Sequence, residues 1–312
     1  MLHNSERRAE INELVSGLRL PQKMISPKYF YDEEGSRLFE QICDLPEYYL
    51  TRSEISIMQS NMAEIAEAVG PRVSVIEYGI GSGLKTCILL ENLQQPVAFI
   101  PIDISAEHLA ESARVLAGQF PEIEILPVAA DFTRTVSIPC PARSPARNLV
   151  YFPGSTIGNF GPEAALDLLR VMHEEAGPEG LLLIGADLQK DHEIIEKAYN
   201  DQAGITAAFN LNVLSHLNRE YGFDFELEAF EHFAVYQQDS GRIEMQLISL
   251  REQRVTLGKD VFYLAKGEKI ITEHCHKFSL AGFRELAENA GFRHQQTWLD
   301  SKNWFSVQLY RR

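Results

Sequence analysis

The chain has 312 residues, of which 45% are hydrophobic and 23% are charged, so it is long enough for one large domain or two smaller ones. Its formal charge of −15 argues against nucleic-acid and anionic-membrane partners, because binding to phosphates needs clustered lysine and arginine. The four cysteines are scattered without a CxxC pair, which predicts neither a zinc cluster nor a disulfide framework and fits a reducing cytoplasm.

The N-terminal region is predicted to begin with one amphipathic helix over residues 5–18, where apolar residues recur at helical spacing. Residues 19–52 are rich in aromatic side chains, and we expect them to be irregular. Ser53 can cap a second helix that ends at Val69, with Gly70 just beyond it. We expect no signal peptide, because this end of the chain is polar, and no apolar run approaches the roughly 20 residues of a membrane helix.

From residue 73 onward, apolar segments alternate with helical stretches. Such alternation implies a parallel sheet with right-handed crossovers. The predicted strands lie near 73–79, 98–104, 122–130, 147–153 and 180–188.

The first of these strands runs into a glycine-rich turn and then a helix, in the segment VSVIEYGIGSGLKT. Gly79, Gly81 and Gly83 form a GxGxG pattern, and glycine lets a ligand approach the backbone without a Cβ in the way. This arrangement suits a nucleotide-like cofactor that lies across the carboxyl end of the strand. A lone glycine pattern is weak evidence, since such glycines can also serve only to make turns in a generic Rossmann-like domain.

Two further strand ends carry residues that suit an adenosine. Asp103 ends the second strand, where its carboxylate can accept hydrogen bonds from both ribose hydroxyls. Asp131 and Phe132 follow the third strand, and an acid beside an aromatic ring can bind the exocyclic amine and the face of an adenine. A dinucleotide fold would require GxGxxG, so the GxGxG pattern favours S-adenosylmethionine (SAM) over NAD and resembles the class I methyltransferases.

The second half of the chain predicts an insertion in this core. Helices are predicted over 191–220 and strands over 226–277, with turns at 239–241 and 266–268. A helix near 279–290 and two final strands look like the end of a class I methyltransferase, in which one strand is antiparallel. The fourth strand ends in YFPGSTIGN instead of the DPPY or NPPY of many nucleic-acid amino-methyltransferases.

We therefore predict an α/β protein with the class I (Rossmann-like) SAM-methyltransferase fold, a seven-stranded sheet with helices on both faces. A smaller α+β domain would bind the amino-acid substrate. The predicted core comprises residues 54–189 and 278–312, and the predicted substrate domain comprises 1–53 and 190–277.

Several segments together resemble one family, the histidine-specific N-alpha-methyltransferases of ergothioneine biosynthesis. The matching stretches include KYFYDEEGSRLFEQICDLPEYYLTR, EYGIGSGLKT, FPGSTIGNF, KAYNDQAGITAAFNLN and ITEHCHKF. The aromatic N-terminal block and GSTIGN are not general methyltransferase features. The resemblance implies that L-histidine is converted by successive methylations to its trimethylated betaine, hercynine, the first step of that pathway, and that SAM becomes S-adenosyl-L-homocysteine.

The resemblance also implies site residues. The SAM site would use Gly79, Gly81, Lys85, Asp103, Asp131 and Phe132. The amino-acid site would use Tyr31, Phe39, Tyr48, Gly154, Thr156, Asn159, Tyr199, Met245, Glu273 and Cys275. Asn159 and Tyr199 would hold the backbone end of the substrate. Glu273 would accept a hydrogen bond from the imidazole, and Tyr48, close to the amine, is the catalytic candidate.

Ordinary structural roles remain open for several candidates. The three N-terminal aromatic residues could merely pack in a core, and Asn159 could be a turn or helix-cap residue. On sequence alone, Met245 suits a core, Glu273 a strand surface and Lys85 an exposed helix start. No metal is expected, because neighbouring residues of the run 274–276 point to opposite faces of a strand.

Cys275 departs from the family pattern, in which serine stands two residues after the glutamate. Serine is a competent donor and acceptor to a ring nitrogen, whereas a thiol is weak in both roles. The same chemistry on another amino acid or a small amine is therefore a second hypothesis, and a catalytically silent SAM-binding regulator is a third. In each case we expect a cytoplasmic monomer without nucleic-acid or membrane partners.

Overall fold

A computed structural model describes residues 2–81, 83–132 and 136–312, which form two compact units. The first unit contains the residues up to Tyr49 together with Lys190–Cys275, and the second unit contains Leu50–Gln189 and His276–Arg312. Among the described residues, every helix is too short or too polar to span a bilayer.

The elements are numbered in chain order over the described part of the chain. The helices are α1 (Leu2–Leu18), α2 (Glu33–Asp44), α3 (Tyr49–Val69), α4 (Leu84–Asn92), α5 (Ala106–Gln119), α6 (Pro162–Ala176), α7 (His192–Tyr199), α8 (Ile205–Tyr221) and α9 (Leu280–Asn289). The strands are β1 (Lys23–Met24), β2 (Val73–Tyr78), β3 (Ala98–Asp103), β4 (Glu124–Ile125), β5 (Val128–Ala129), β6 (Arg147–Phe152), β7 (Leu181–Asp187), β8 (Phe230–Gln237), β9 (Arg242–Ser249), β10 (Gln253–Leu257), β11 (Asp260–Leu264), β12 (Lys269–His276), β13 (Arg293–Leu299) and β14 (Phe305–Arg311).

The second unit is built on a sheet with the strand order β13-β14-β7-β6-β2-β3-β4, in which β5 also pairs with β3. The strands from β7 to β5 are parallel, whereas β14 runs antiparallel to both of its neighbours. The third predicted strand, 122–130, is split into β4 and β5, so the eight segments fill seven positions. This strand order confirms the predicted class I Rossmann-like fold.

Both faces of the central strands are buried, which explains their continuous apolar sequences. Every residue of β2 and of β7 is buried. On one face, Ile76, Val150 and Leu182 belong to a core cluster that also contains residues of α6 and α9. On the other face, Tyr151 Oη lies 3.2 Å from the sulfur of Met58 in α3. The sheet therefore has helices on both sides, as predicted.

The first unit contains a second sheet with the strand order β1-β12-β9-β8. β1 is parallel to β12, and β8 and β9 form an antiparallel hairpin whose turn coincides with the predicted turn at 239–241. Helix α8 is joined to this sheet by Asn210, which is buried. Its Nδ2 donates to the carbonyl oxygen of Gln246 at 3.1 Å, and its Oδ1 accepts from Thr272 Oγ1 at 2.7 Å.

The prediction that residues 19–52 are irregular is wrong, because this segment contains α2. Asp32 caps the helix, and its Oδ1 accepts a hydrogen bond from Gly35 N at 2.7 Å. Acidic residues occupy the first turn, where the helix dipole favours negative charge. Leu38 and Ile42, one turn apart, bury the apolar face. These capping and spacing signals were present in the sequence beside the conspicuous aromatic residues.

Helix α3 ends as predicted but begins one turn earlier. It stops at Val69, and Gly70 follows with a φ of 79°, in the left-handed region that favours glycine. Its first residue is Tyr49 rather than a position after Ser53. Tyr49 and Leu50 are buried, and packing of this kind overrides a local preference for a cap.

An ion pair is buried at the end of β7 in the second unit. Lys277 Nζ lies 2.8 Å from Asp187 Oδ2, and both side chains are 0% exposed. The main chain joins the same two segments, since Phe278 N donates to Asp187 O at 2.9 Å. An ion pair and a backbone hydrogen bond thus join the segment after β12 to the end of β7.

We expect Lys277→Met to lower the free energy of unfolding by about 3–5 kcal/mol, because it leaves the Asp187 carboxylate buried without its counter-charge. Adding Asp187→Asn should restore at least part of the loss, since no unpaired charge then remains. Urea denaturation of the two variants and the wild type measures both effects. A single variant within about 0.5 kcal/mol of the wild type would contradict this account of the pair.

Candidate active site

The glycine-rich loop follows β2 at the carboxyl end of the parallel strands. Gly79, Gly81 and Gly83 have φ values of 75°, 51° and 71°, in a region that other residues rarely adopt. Among the residues that the structure describes, a Cβ added at any of the three would meet no atom within 4 Å, so the described part of the chain leaves open space in front of the loop. Gly79 N donates to Ile102 O at 2.8 Å, which ties the loop to β3. This loop can accommodate a ligand close to its backbone.

The predicted adenosine residues follow neighbouring strands. Asp103 ends β3 and is paired in register with Ala129 of β5, two residues before Asp131. One carboxylate oxygen of Asp103 accepts from Ser105 N at 2.9 Å. The half-buried ring of Phe132 packs edge-on against Tyr78, with ring centroids 5.4 Å apart. The structure therefore brings the acidic and aromatic candidates to the same edge of the sheet.

Lys85, in the first turn of α4, is held by a buried acid. Its Nζ lies 2.7 Å from Glu54 Oε2, and the side chains of Lys85 and Glu54 are 21% and 1% exposed. Gly154 N donates to both carboxylate oxygens of Glu54, at 2.9 and 3.1 Å. Glu54 is not among the site residues predicted from the sequence. Its only signal was its helical spacing from buried Met58 and Met62, which places a charge on the core face of α3.

The turn after β6 contains three predicted substrate residues. Gly154 and Ser155 both have positive φ values, 81° and 59°. Ser155 Oγ accepts from Asp187 N at 2.9 Å, a buried bond that helps to hold this unusual backbone. Thr156 Oγ1 donates to Pro153 O at 3.1 Å, and a single 3-10 turn then runs to Asn159. The turn is therefore fixed by bonds from its own residues and from β7.

In the first unit, four predicted substrate residues form one aromatic cluster. Tyr31 and Phe39 have ring centroids 5.8 Å apart, Phe39 and Tyr48 6.3 Å, and Tyr48 and Tyr199 6.1 Å. All three contacts are edge-to-face, and Phe209 of α8 packs against the first two rings. The chain brings these rings together from α2, α7 and the segments beside α2.

The remaining candidates lie on the second sheet. Glu273 and Cys275 are buried on β12 and, two residues apart, share one face of that strand. Thr272 lies on the opposite face, where it bonds to Asn210 of α8. Met245 is buried on β9, and its carbonyl oxygen accepts from Thr272 Oγ1 at 3.2 Å. Glu273 is therefore no surface charge, contrary to the ordinary reading of a strand glutamate.

Comparisons with known proteins agree on one family. Residues 10–312 match the family described as histidine-specific methyltransferase, SAM-dependent. The chain belongs to this family. The histidine N-alpha-methyltransferase of Mycolicibacterium smegmatis is 40% identical, over 95% of this chain and 93% of that protein. The histidine N-alpha-methyltransferase of Mycobacterium tuberculosis is 36% identical over the same shares. Ergothioneine biosynthesis protein 1 of Schizosaccharomyces pombe is 28% identical, over 91% of this chain and 37% of that protein.

Family membership confirms the family predicted from the sequence, the enzyme class and the cofactor SAM. The roles given to individual residues, and to the two units as cofactor and substrate domains, stay predictions. Within each unit, the fold brings the predicted site residues close to one another. In the second unit they lie at the carboxyl ends of β2, β3, β5 and β6, and in the first unit they lie in the aromatic cluster and on β9 and β12.

A second buried acid, Glu77, lies directly before the glycine loop of the methyltransferase. Its Oε2 accepts from Thr86 Oγ1 at 2.7 Å, while its Oε1 is buried with no hydrogen-bond partner among the described residues. Burial raises the pKa of Glu77 to about 8, although the Thr86 hydrogen bond and the charge of Lys85 oppose the shift. Glu77 therefore keeps its proton at neutral pH.

Replacing Glu77 should change how stability depends on pH. Its pKa is 4.5 when unperturbed and about 8 in the folded chain, so between these values the folded state holds a proton that the unfolded state releases. Stability is therefore lost as pH rises through this window. Relative to Glu77→Gln, we expect the free energy of unfolding of the wild type to fall by about 3–4 kcal/mol between pH 5 and pH 8.

Urea denaturation of both proteins without cofactor, at several pH values, measures this difference. Other titrating groups are common to both proteins and cancel in the comparison. A difference in free energy of unfolding that stays constant from pH 5 to pH 8 would show that Glu77 is ionised throughout.

Proposed function

We propose that the enzyme transfers methyl groups from SAM to the α-amino nitrogen of L-histidine and forms the trimethylated betaine hercynine, the first step of ergothioneine biosynthesis. The observation that carries this proposal is the match of residues 10–312 to a histidine-specific family. The names of the two mycobacterial relatives and of the fission-yeast relative support the substrate and the pathway.

The residues around the glycine loop fit SAM. The open loop at Gly79 and Gly81 admits a ligand against the backbone. Asp103 would accept hydrogen bonds from the ribose hydroxyls, and Asp131 and Phe132 would bind the adenine. SAM supplies the methyl group on a sulfonium, and the protein supplies alignment, electrostatics and exclusion of water.

Lys85 adds a positive charge beside this loop. Its ammonium, held by Glu54, would lie near the cofactor, where it can attract a carboxylate. This assignment completes the six cofactor residues that the family resemblance implies.

The aromatic cluster suits the product of three transfers. Each transfer enlarges the amine, which ends as a permanently cationic head group. The rings of Tyr31, Phe39, Tyr48 and Tyr199 can attract such a cation through their faces, by about 0.5–2 kcal/mol each. The α-ammonium must lose its proton before each attack, and we assign Tyr48 as the hydrogen-bond acceptor at the amine, with water taking the proton.

The polar ends of the amino acid would be held elsewhere in the site. Asn159 and Tyr199 would hold the backbone end, and Gly154, Thr156 and Met245 would line the site. The buried carboxylate of Glu273 would accept a hydrogen bond from the imidazole. An imidazole N–H is a suitable hydrogen-bond donor to a carboxylate.

Cys275 supports a second candidate, the same chemistry on another amino acid or small amine. The thiol is buried on the face of β12 that carries Glu273, so it lies where the ring of the substrate would be recognised. A thiol is a weaker hydrogen-bonding group than the serine of the family pattern.

We further propose that the methyltransferase works as a cytoplasmic monomer on a small molecule and without nucleic-acid partners. The formal charge of −15 and the scattered cysteines support this setting, because nucleic-acid binding needs clustered cations and a reducing compartment suits free thiols.

A competition assay tests the proposed function. Purified enzyme is incubated with SAM and an equimolar mixture of the common amino acids, and the products are read by mass spectrometry. We expect histidine to gain up to three methyl groups ahead of every other amino acid. If another amino acid is methylated in its place, the second candidate holds and Cys275 becomes the residue to change to serine.

Two matched variants separate the cofactor and substrate assignments. Asp103→Ala should weaken SAM by roughly 1.5–3 kcal/mol, or about 10- to 100-fold, because buried ribose hydroxyls lose a charged acceptor. Glu273→Ala should weaken histidine by a similar factor and leave SAM within about twofold. Calorimetric titration of each variant with each ligand is the measurement, and equal effects on both ligands would mean that the residue is structural.

A further inference from the structure

The Glu54 carboxylate is a buried charge beside the glycine loop. It lies in α3 with 1% of its side chain exposed, and a carboxylate so placed is unfavourable unless donors surround it. Two segments provide them, the ammonium of Lys85 and the backbone N–H of Gly154. No sequence motif of the methyltransferase includes Glu54, yet both of its partners are residues that the proposed function uses.

Strand β7 leaves room for this carboxylate. A Cβ at Gly185 would lie 2.2 Å from Glu54 Oε1, a distance that no real contact permits. Glycine weakens a strand interior, because it packs no side chain and loses more conformational freedom on folding. Its presence in the buried run LLLIGAD is explained by the space that Glu54 occupies.

The turn after β6 is equally close to the pair. Gly154 has a φ of 81°, and a Cβ added there would lie 3.3 Å from Lys85 Nζ. The ammonium therefore rests against the turn while it binds Glu54. One carboxylate sets the position of the Lys85 head group and the direction of the Gly154 N–H, and movement of either partner would break its bond.

We propose that Glu54 is a positioning residue for methyl transfer, which holds the cofactor-side Lys85 and the substrate-side turn at Gly154 in one fixed arrangement. This inference rests on the proposed function for the roles of its two partners. The side chain of Lys85 is 21% exposed whereas that of Glu54 is 1% exposed, so a buried carboxylate holds a partly exposed lysine. The effect of Glu54 on SAM therefore passes through Lys85.

A double-mutant cycle tests the proposal. The variants are Glu54→Gln, Lys85→Met and the two combined, and the measurement is the Kd of SAM by calorimetry on the full chain without amino acid. We expect each single substitution to raise the Kd of SAM about tenfold. The Kd of SAM for the double variant should be no more than about twofold higher than that for Lys85→Met, because the effects of substitutions at residues that act through one contact are not additive. A merely structural role would give additive losses.

The matched control is Glu64→Gln in the same helix. Glu64 is exposed and accepts from Trp298 Nε1 at 2.9 Å, away from the cofactor loop, so SAM affinity should not change. Gly185→Ala tests the same role in a second way, because the added Cβ displaces the Glu54 carboxylate without removing it. This variant should also bind SAM more weakly. It decides the question if Glu54→Gln fails to fold. The proposal is overturned if Glu54→Gln or Gly185→Ala, once folded, binds SAM as tightly as the wild type.

These outcomes are separate from those of the proposed function. Methylation of histidine by the wild type tests the proposed substrate, whereas the double-mutant cycle measures only the affinity for SAM. At saturating SAM, Glu54→Gln should also show a kcat for histidine that is reduced about tenfold, because Gly154 N–H then faces a neutral amide with one acceptor oxygen in place of a carboxylate with two. If the wild type does not methylate histidine but the double-mutant cycle gives the expected SAM affinities, the positioning role of Glu54 stands and the proposed substrate is wrong.

Discussion

A buried carboxylate has to be surrounded by donors, and at Glu54 this requirement links four segments of the second unit. Helix α3 provides the acid, α4 the ammonium of Lys85, the turn after β6 the N–H of Gly154, and β7 the space at Gly185. None of these features is explained by the apolar packing that forms the rest of the sheet. Together they fix a small polar centre beside the glycine loop, where we propose that SAM binds.

The charge balance of this centre depends on which acids are ionised. Glu54 is paired with Lys85, whereas Glu77 is buried next to Thr86 and keeps its proton. Two ionised carboxylates with one ammonium would leave an uncompensated charge among buried side chains. The other buried pair, Asp187 with Lys277, also lies at the carboxyl end of a strand. Glu77 and Asp187 are thus two buried acids near the carboxyl ends of parallel strands, the side of the sheet where α/β proteins bind ligands.

The sequence was sufficient to predict the sheet, because alternating apolar segments and glycine-rich turns reflect local rules, and it selected candidate residues whose roles stay predictions. Helix α2 was missed since its capping by Asp32 was less conspicuous than its aromatic neighbours. Glu54 could not be found from a motif, because its role depends on Lys85 and Gly154, which are distant along the chain and meet only in the fold. Gly185 shows the same limit, since a strand glycine has meaning only when the atom that fills its space is known.

If the substrate ring binds at β12 as proposed, the cysteine at position 275 would change the weaker of the two contacts to it. Glu273 and Cys275 share a face of β12, so a ring bound there would meet both side chains. A hydrogen bond to an ionised carboxylate is roughly twice as strong as one between neutral groups. Replacing a serine hydroxyl by a thiol removes a neutral contact and leaves the charged one. Under the proposed assignment, preference for a ring that carries an N–H donor would therefore depend on Glu273, and the thiol would alter how well one such ring is distinguished from another.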